Sequence, residues 1–287
     1  MTDAPLLPLL HLDCLWLQVM GTVCNIACRH CFISCGPKVH IHAPMSVAQV
    51  RQAIEEAEAL GCRATAFTGG EPFLHPDILE LVDIALARGP LEILSNGMCI
   101  DAAMASALAL RARNSPYSLE LRISLDGLDA AENDAIRGPG VFDACLAGIR
   151  CLVQAGLEPV LAVTTVHEAH ASAEGRAAFY ALLRELGVSR PRLKLIPPFR
   201  IGREARRAGP YQDWEQIRGD MLDAEAPWLL QCGTSRMVTA RGAWPCPILV
   251  NIDAARLGDG LAQALRPVAL DQRACHTCLV EGFSCRT

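Results

Sequence analysis

The chain has 287 residues, of which 51% are hydrophobic and 14 are cysteine, enough for one large domain, or one domain with an appendage, to bury a core without disulfide staples. A formal charge of −5 provides no long-range attraction for nucleic acid or an anionic membrane surface. No apolar run approaches the roughly 18 residues of a membrane span, and Asp3, Pro5 and Pro8 are unlike the opening of a signal segment, so the sequence reads as a cytoplasmic protein.

A first strand is predicted over 15–20, and a loop carrying Cys24, Cys28 and Cys31 follows it. Beyond Cys35 the segment "KVHIHAP" holds His40 and His42, which alternation aims to one side; with no third ligand nearby they are expected to meet solvent or substrate. Ser46 opens a helix as a capping box with Gln49, Val50, Ile54, Ala57 and Leu60 recur at helical spacing, and Gly61 is the stop. A strand over 64–68, a helix over 77–88 ending at Gly89, and strands over 91–95, 119–125, 159–166 and 192–197 continue the alternation. Each strand is too continuously apolar for an open, half-wet sheet.

Six βα units predict an α/β fold, a partial (β/α)6 TIM-like barrel with a small cysteine-rich C-terminal extension, though pattern alone does not exclude a doubly wound sheet. The strand ends run into "TGGEP" (68–72), "SNG" (95–97), "SLDG" (124–127), "TTVH" (164–167) and "PPFRIGR" (197–203). All lie on the carboxyl side, where such folds build their sites. From Gly209 the alternation stops, which divides the chain into 1–208 and 209–287, with a helix predicted over 211–222 and a cysteine-punctuated stretch after it. At the boundary, Arg200, Arg203, Arg206 and Arg207 read as a solvated helix face, with an anionic substrate group as the competing reading.

Cysteines in a chain this long are not a disulfide framework; in a reducing compartment clustered ones bind metal and scattered ones pack. Cys14, Cys62, Cys99, Cys145 and Cys151 stand alone among apolar residues and are expected to be structural. Three thiolates within "CNIACRHC" suit either zinc or an iron–sulfur cluster, with Cys35 available as a fourth ligand. Three ligands leave one metal position open for chemistry, whereas four close the site. Cys232, Cys246, Cys275, Cys278 and Cys285 form a second set, compatible with a zinc ribbon.

"CNIACRHC" resembles the CxxxCxxC loop of the radical S-adenosylmethionine (radical SAM) enzymes, and "GGEP" at the second strand end resembles their companion motif. With "SNG", "SLDG" and "PPFRIGR", the resemblance covers roughly residues 15–205. It implies that Cys24, Cys28 and Cys31 hold a [4Fe–4S] cluster whose open iron takes S-adenosylmethionine, reduced by a flavodoxin- or ferredoxin-type partner. It further implies that His30 packs on adenine, Gly69 and Gly70 admit the methionyl ammonium, and Glu71 pairs with it, although capping of the next helix competes for Glu71. Ser95, Asn96, Ser124 and Asp126 would meet the carboxylate or ribose, with turn formation as their other reading. Arg137 would pair with the carboxylate, and Ile196 would touch adenine.

The back cysteines, with Gly242 before Cys246 and the "CHTC" pair, resemble the SPASM or twitch region that carries auxiliary [4Fe–4S] clusters. One auxiliary cluster is implied, on Cys232, Cys246, Cys275 and Cys278, with Cys285 as an alternate fourth. The expected function is cleavage of S-adenosylmethionine to a 5′-deoxyadenosyl radical that takes hydrogen from a peptide or protein side chain. The same chemistry on a small metabolite is the alternative, and a non-catalytic zinc or electron-transfer protein is the third. Only 23 residues precede Cys24, so a peptide would be held by a partner or by the barrel mouth.

Overall fold

A computed structural model of the chain describes residues 4–281. In chain order its elements are β1 (Leu6–Leu7), β2 (Cys14–Gln18), α1 (Val47–Ala59), β3 (Ala64–Thr68), α2 (Ile78–Leu86), β4 (Leu91–Ser95), α3 (Ala102–Asn114) and β5 (Leu119–Ser124). There follow α4 (Ala130–Arg137), α5 (Val141–Gln154), β6 (Val160–Thr164), α6 (Ala173–Glu185), β7 (Arg192–Ile196) and α7 (Gly202–Ala208). The tail adds α8 (Ala226–Leu229), β8 (Ser235–Thr239), β9 (Gly242–Trp244), β10 (Val268–Ala269) and α9 (Ala274–Val280).

Eight strands form one sheet in the order β7-β6-β5-β4-β3-β2-β8-β9, parallel throughout except for the final hairpin pair. From β2 to β7 the order follows the sequence without reversing. A doubly wound sheet reverses at a switch point; a sheet that does not keeps its right-handed crossover helices on one face and curls into part of a barrel. The core shows the same sidedness: Leu15, Leu17, Phe67, Ile93, Ile123 and Val163 pack under the helices. On the opposite face Trp16, Ala66 and Met237 fill one side of the barrel interior, while Arg122 pairs with Glu92 (2.7 Å) and Glu120 (2.8 Å) on the other.

The predicted strands are present, each ending one or two residues earlier than expected where it overran, because the backbone leaves the ladder to turn toward the site. The Ser46–Gln49 capping box forms in both directions, and Gly61 turns at φ +81°. The helix predicted over 211–222 does not form. Side chains that would line its face are taken elsewhere: Glu215 accepts from the Gln212 amide (2.6 Å) and from the Arg200 guanidinium, Asp213 pairs with Arg273, and Tyr211 and Ile217 enter a second core. Four strands were not anticipated: β1 and β10, which pair antiparallel as a two-stranded sheet, and β8 and β9. β8 lies against β2 with Cys14 opposite Ser235, and β9 returns through Gly242, where φ is +126° and a Cβ would stand 2.2 Å from Gly258 O.

Among the described residues no helix is long and apolar enough to cross a membrane. The 3-10 turn after β3 begins at Glu71, which caps it.

Candidate functional site

The carboxyl ends of β2 to β7 surround a cavity of about 170 Å³. Cys24, Cys28 and Cys31 line it, as the spacing of the loop requires, and Cys35 joins them. The loop is held by backbone bonds to its neighbours: Gly70 N donates to Gly21 O (2.9 Å) and Glu71 N to Val23 O (3.0 Å). A Cβ on Gly70 would stand 1.9 Å from Val23 O, so glycine is required here by the close approach of two loops, in addition to the room it leaves beside the cavity.

Burial pushes the Cys24 thiol up to about 12 and the Cys28 thiol up to about 11, the latter partly countered by Arg137. The Cys35 thiol, hydrogen-bonded to Cys31, lowers Cys31 and is itself raised; Arg203 also favours the Cys31 thiolate. The Cys35 amide donates to Cys31 Sγ (3.3 Å), and Cys35 Sγ lies 3.7 Å from Gly69 O. Cys31 is therefore the thiol best prepared to be a ligand before metal arrives, and the other two lose their protons as metal replaces them.

His30 lines the cavity, with Nε2 2.9 Å from Asp126 Oδ2 and Nδ1 buried without a partner. Arg137 also lines it, with Nε 2.6 Å from the same carboxylate oxygen. Asp126 itself lies outside the lining and has no exposed surface. Burial opposes its ionisation, but Arg137, His30 and the Thr164 amide (2.7 Å) outweigh it and hold the carboxyl well below the usual range. Sequence reading put Asp126 against a ligand; the structure puts it behind two residues that face the cavity.

Glu71 undergoes a similar correction. Its carboxylate is fully buried, accepting from Ser95 Oγ (2.8 Å), the Asn96 amide (2.8 Å) and the Phe73 amide (3.1 Å), and burial pushes it up from its ordinary value. The capping role is the one the geometry realises, and it aims Ser95 and Asn96. Gly69, Gly70, Ser95, Asn96, Ser124 and Ile196 all line the cavity. Asn96 Nδ2 donates to Asn25 Oδ1 (2.7 Å) and lies 3.8 Å from Cys24 Sγ. Asn25 went unnoticed because a loop asparagine has no periodic signal.

Arg203 was read as solvated, with an anionic substrate group as the competing reading; it is half-buried and lines the first cavity. Its guanidinium reaches back to the cysteine loop, donating to Cys28 O (2.7 Å), Ser34 O (3.1 Å) and Cys35 O. Arg200 pairs with Glu215 and stacks on Tyr211, and Arg207 pairs with Glu204. The two histidines diverge: His40 is exposed, whereas His42 is buried, 3.1 Å from Thr239 Oγ1 and edge-on to Trp244.

Cys232, Cys246, Cys275 and Cys278 line a second cavity whose other walls are mainly apolar, among them Leu230, Leu249 and Leu270. Burial pushes Cys232 up to about 12 and raises Cys246 and Cys275. Cys285 lies outside the described residues. Among the described residues no three His, Cys, Asp or Glu side chains are grouped to hold a single metal ion. Phe32, beside Cys31, and Phe199, in the core that contains Cys246 and Cys275, meet edge-on at 5.8 Å, so the two cysteine sets share one packed wall.

Both donor sets consist of thiols, the ligands that soft metals and iron–sulfur clusters select. In the first cavity three such thiols converge beside the His30 ring, whose Nδ1 is buried without a hydrogen-bond partner among the described residues, and this donor set fits an iron–sulfur cluster.

Residues 19–169 match the sequence model of the Radical SAM superfamily, which is more than half of the chain. The mycofactocin maturase MftC of Mycobacterium tuberculosis (strain CDC 1551 / Oshkosh) is 37% identical over 138 residues, 48% of this chain and 34% of that protein. The AdoMet-dependent heme synthase of Nitratidesulfovibrio vulgaris is 32% identical over 140 residues, 47% of this chain and 36% of that protein. The chain thus spans about a third of the length of these relatives. In fold it is similar to anSMEcpe with bound AdoMet (TM-score 0.62, 16% identity, 86% of this chain and 74% of that one). It is also similar to Streptococcus suis SuiB bound to its precursor peptide SuiA (TM-score 0.64, 16% identity, 88% and 63%).

Proposed function

The chain belongs to the radical SAM superfamily, and on that premise we propose that it cleaves S-adenosylmethionine reductively and takes hydrogen from a peptide or protein side chain. Cys24, Cys28 and Cys31 would hold a [4Fe–4S] cluster, which supplies the electron that splits the sulfonium and yields the 5′-deoxyadenosyl radical. The observation that carries this reading is the convergence of these three thiols, Gly69, Gly70, Ser95, Asn96 and Ser124 with His30 and Arg137 on one cavity.

The chain's own part is to bind, orient and exclude water. His30 offers its ring to adenine, fixed from behind by Asp126, and Arg137 offers a guanidinium to the methionyl carboxylate while its charge is balanced by the same residue. The Gly69 and Gly70 backbone meets the ammonium. Ser95, Asn96 and Ser124 serve the carboxylate and ribose, with Ile196 beside the adenine. Phe32, Leu94 and Phe199 complete an apolar wall that protects a radical from solvent. Cys35 would act as a hydrogen-bond donor to Cys31 and not as a ligand, which would leave one cluster position to S-adenosylmethionine.

Residues 209–287 would form a SPASM- or twitch-like region holding one auxiliary [4Fe–4S] cluster on Cys232, Cys246, Cys275 and Cys278, with Cys285 as the alternate ligand. A flavodoxin- or ferredoxin-type protein would supply electrons, and the cytoplasm would keep both centres reduced. The peptide assignment is supported by SuiB, solved with its precursor peptide, and by anSMEcpe, solved with the Kp18Cys peptide. A small-molecule substrate is the second reading, favoured by the heme synthase relative.

Anaerobic reconstitution of the full chain tests the reading: about eight irons per chain are expected for two four-iron clusters, with release of 5′-deoxyadenosine after reduction. A colourless, zinc-loaded protein, or a brown one that leaves S-adenosylmethionine intact, would overturn it.

A further inference from the structure

Arg236, in β8, has no exposed surface and, among the described residues, no carboxylate partner. Its Nε donates to Ala264 O (2.7 Å), Nη1 to Cys232 O (2.6 Å) and Ser235 O (2.7 Å), and Nη2 to Arg266 O (2.8 Å). All four acceptors are neutral carbonyls. The other arginines buried among the described residues are treated differently: Arg122 meets Glu92 and Glu120, and Arg137 meets Asp126. A guanidinium withdrawn from water without an anion carries a desolvation cost that neutral dipoles offset only in part. An anion is therefore wanted near Arg236, and the groups that act on its charge are the thiols of Cys232 and Cys246.

Those two cysteines line the second cavity, which Cys275 and Cys278 complete. We propose that Arg236 is the fixed counter-charge of the thiolate centre formed by these four cysteines, setting its reduction potential while its carbonyl bonds hold the loop of Cys232 and the 264–266 segment against the barrel edge. This rests on reading the tail as a cluster site. Four thiolates leave a four-iron centre with net negative charge, and reduction adds one more. A permanent positive charge in a medium of low dielectric favours the reduced form and raises the potential. Arg236 stands opposite Leu15 of β2, the strand that leads into the front cysteine loop. Charge tuning and attachment to the barrel thus come from one side chain, acting as a positioning residue.

The test is a redox titration followed by electron paramagnetic resonance on the reconstituted full chain, comparing wild type with R236Q, which removes the charge, and R236K, which keeps it with fewer donors. The expected result is a shift of the second cluster to more negative potential in R236Q, restoration toward wild type in R236K, and no movement of the front cluster. Two intact clusters with an unmoved second potential in R236Q overturn the counter-charge and leave the cluster reading standing. Iron for only one cluster in wild type removes that reading and the proposal with it. If R236Q does not fold, R236K decides: a retained second cluster at a near-wild-type potential supports the charge role, and its loss or displacement overturns it.

Discussion

His30 Nε2 lies 2.9 Å from Oδ2 of Asp126, a carboxylate without exposed surface that is set outside the cavity His30 faces. The same oxygen is 2.6 Å from Arg137 Nε. Replacing Asp126 by Asn leaves a buried guanidinium without its anion, a change that costs about 3–5 kcal/mol when one partner of a buried pair is removed. D126N is expected to unfold at lower denaturant by that margin and, where it remains folded, to bind S-adenosylmethionine more weakly. Denaturant midpoints and calorimetric titration check the two effects separately.

Opposite pH slopes are expected from two carboxyls. Asp126 is held well below the unfolded value of about 3.9, so its contribution is full above that pH and is lost as pH falls further. Glu92 is pushed up to about 7 by burial, with Arg122 opposing, so its contribution is full in acid, below the unfolded value of about 4.3, and is lost as pH rises through 7. D126N should flatten the acid limb of the stability profile, and E92Q should flatten the decline between about pH 4.3 and 7. Midpoints collected across pH for three proteins decide the matter.

Cys35 shares the cavity of Cys24, Cys28 and Cys31 and hydrogen-bonds to Cys31. If it donates rather than ligates, C35A keeps all the iron of wild type and still releases 5′-deoxyadenosine, whereas C28A loses about four irons per chain, the content of one cluster. Iron assay with the visible absorption of the reconstituted proteins makes the comparison. Loss of the front cluster in C35A would turn the site into a four-cysteine carrier.

Gly70 tests the packing of the loop apart from its ligands. A methyl group there meets Val23 O at 1.9 Å, and overpacking of this kind costs roughly 1–3 kcal/mol. G70A should show that loss in denaturant melts and release iron faster to a chelator, with every cysteine still in place.

The parallel core was legible because its strands are short, continuously apolar runs closed by helices with clear ends: Ser46 and Gln49 signal one start unambiguously. β8 was not, since "SRMVT" carries an arginine in its middle, and no periodicity rule anticipates a fully buried guanidinium. The false helix over 211–222 has the opposite cause: Glu215 and Asp213 were drawn into pairs with Arg200 and Arg273, contacts that propensity does not encode. At the site, loop spacing brought three cysteines together, as expected of residues close in sequence. The support of His30 and Arg137 by Asp126, and the grip of Arg203 on the cysteine loop, join elements far apart in the chain and became visible only with the fold.

β2 has β3 on one side and β8 on the other, so Cys14 is opposite Ala64 and also Ser235. During synthesis the second of these neighbours emerges only after eight helices and five more strands have been made. Until then the strand that feeds the front loop presents a bare row of amides and carbonyls, a template for pairing with another chain, and this long-range closure is of the slow kind. A nascent or proteolysed fragment that stops short of residue 235 therefore forfeits more than its final cysteines: it leaves the innermost seam of the barrel unstitched and prone to aggregation.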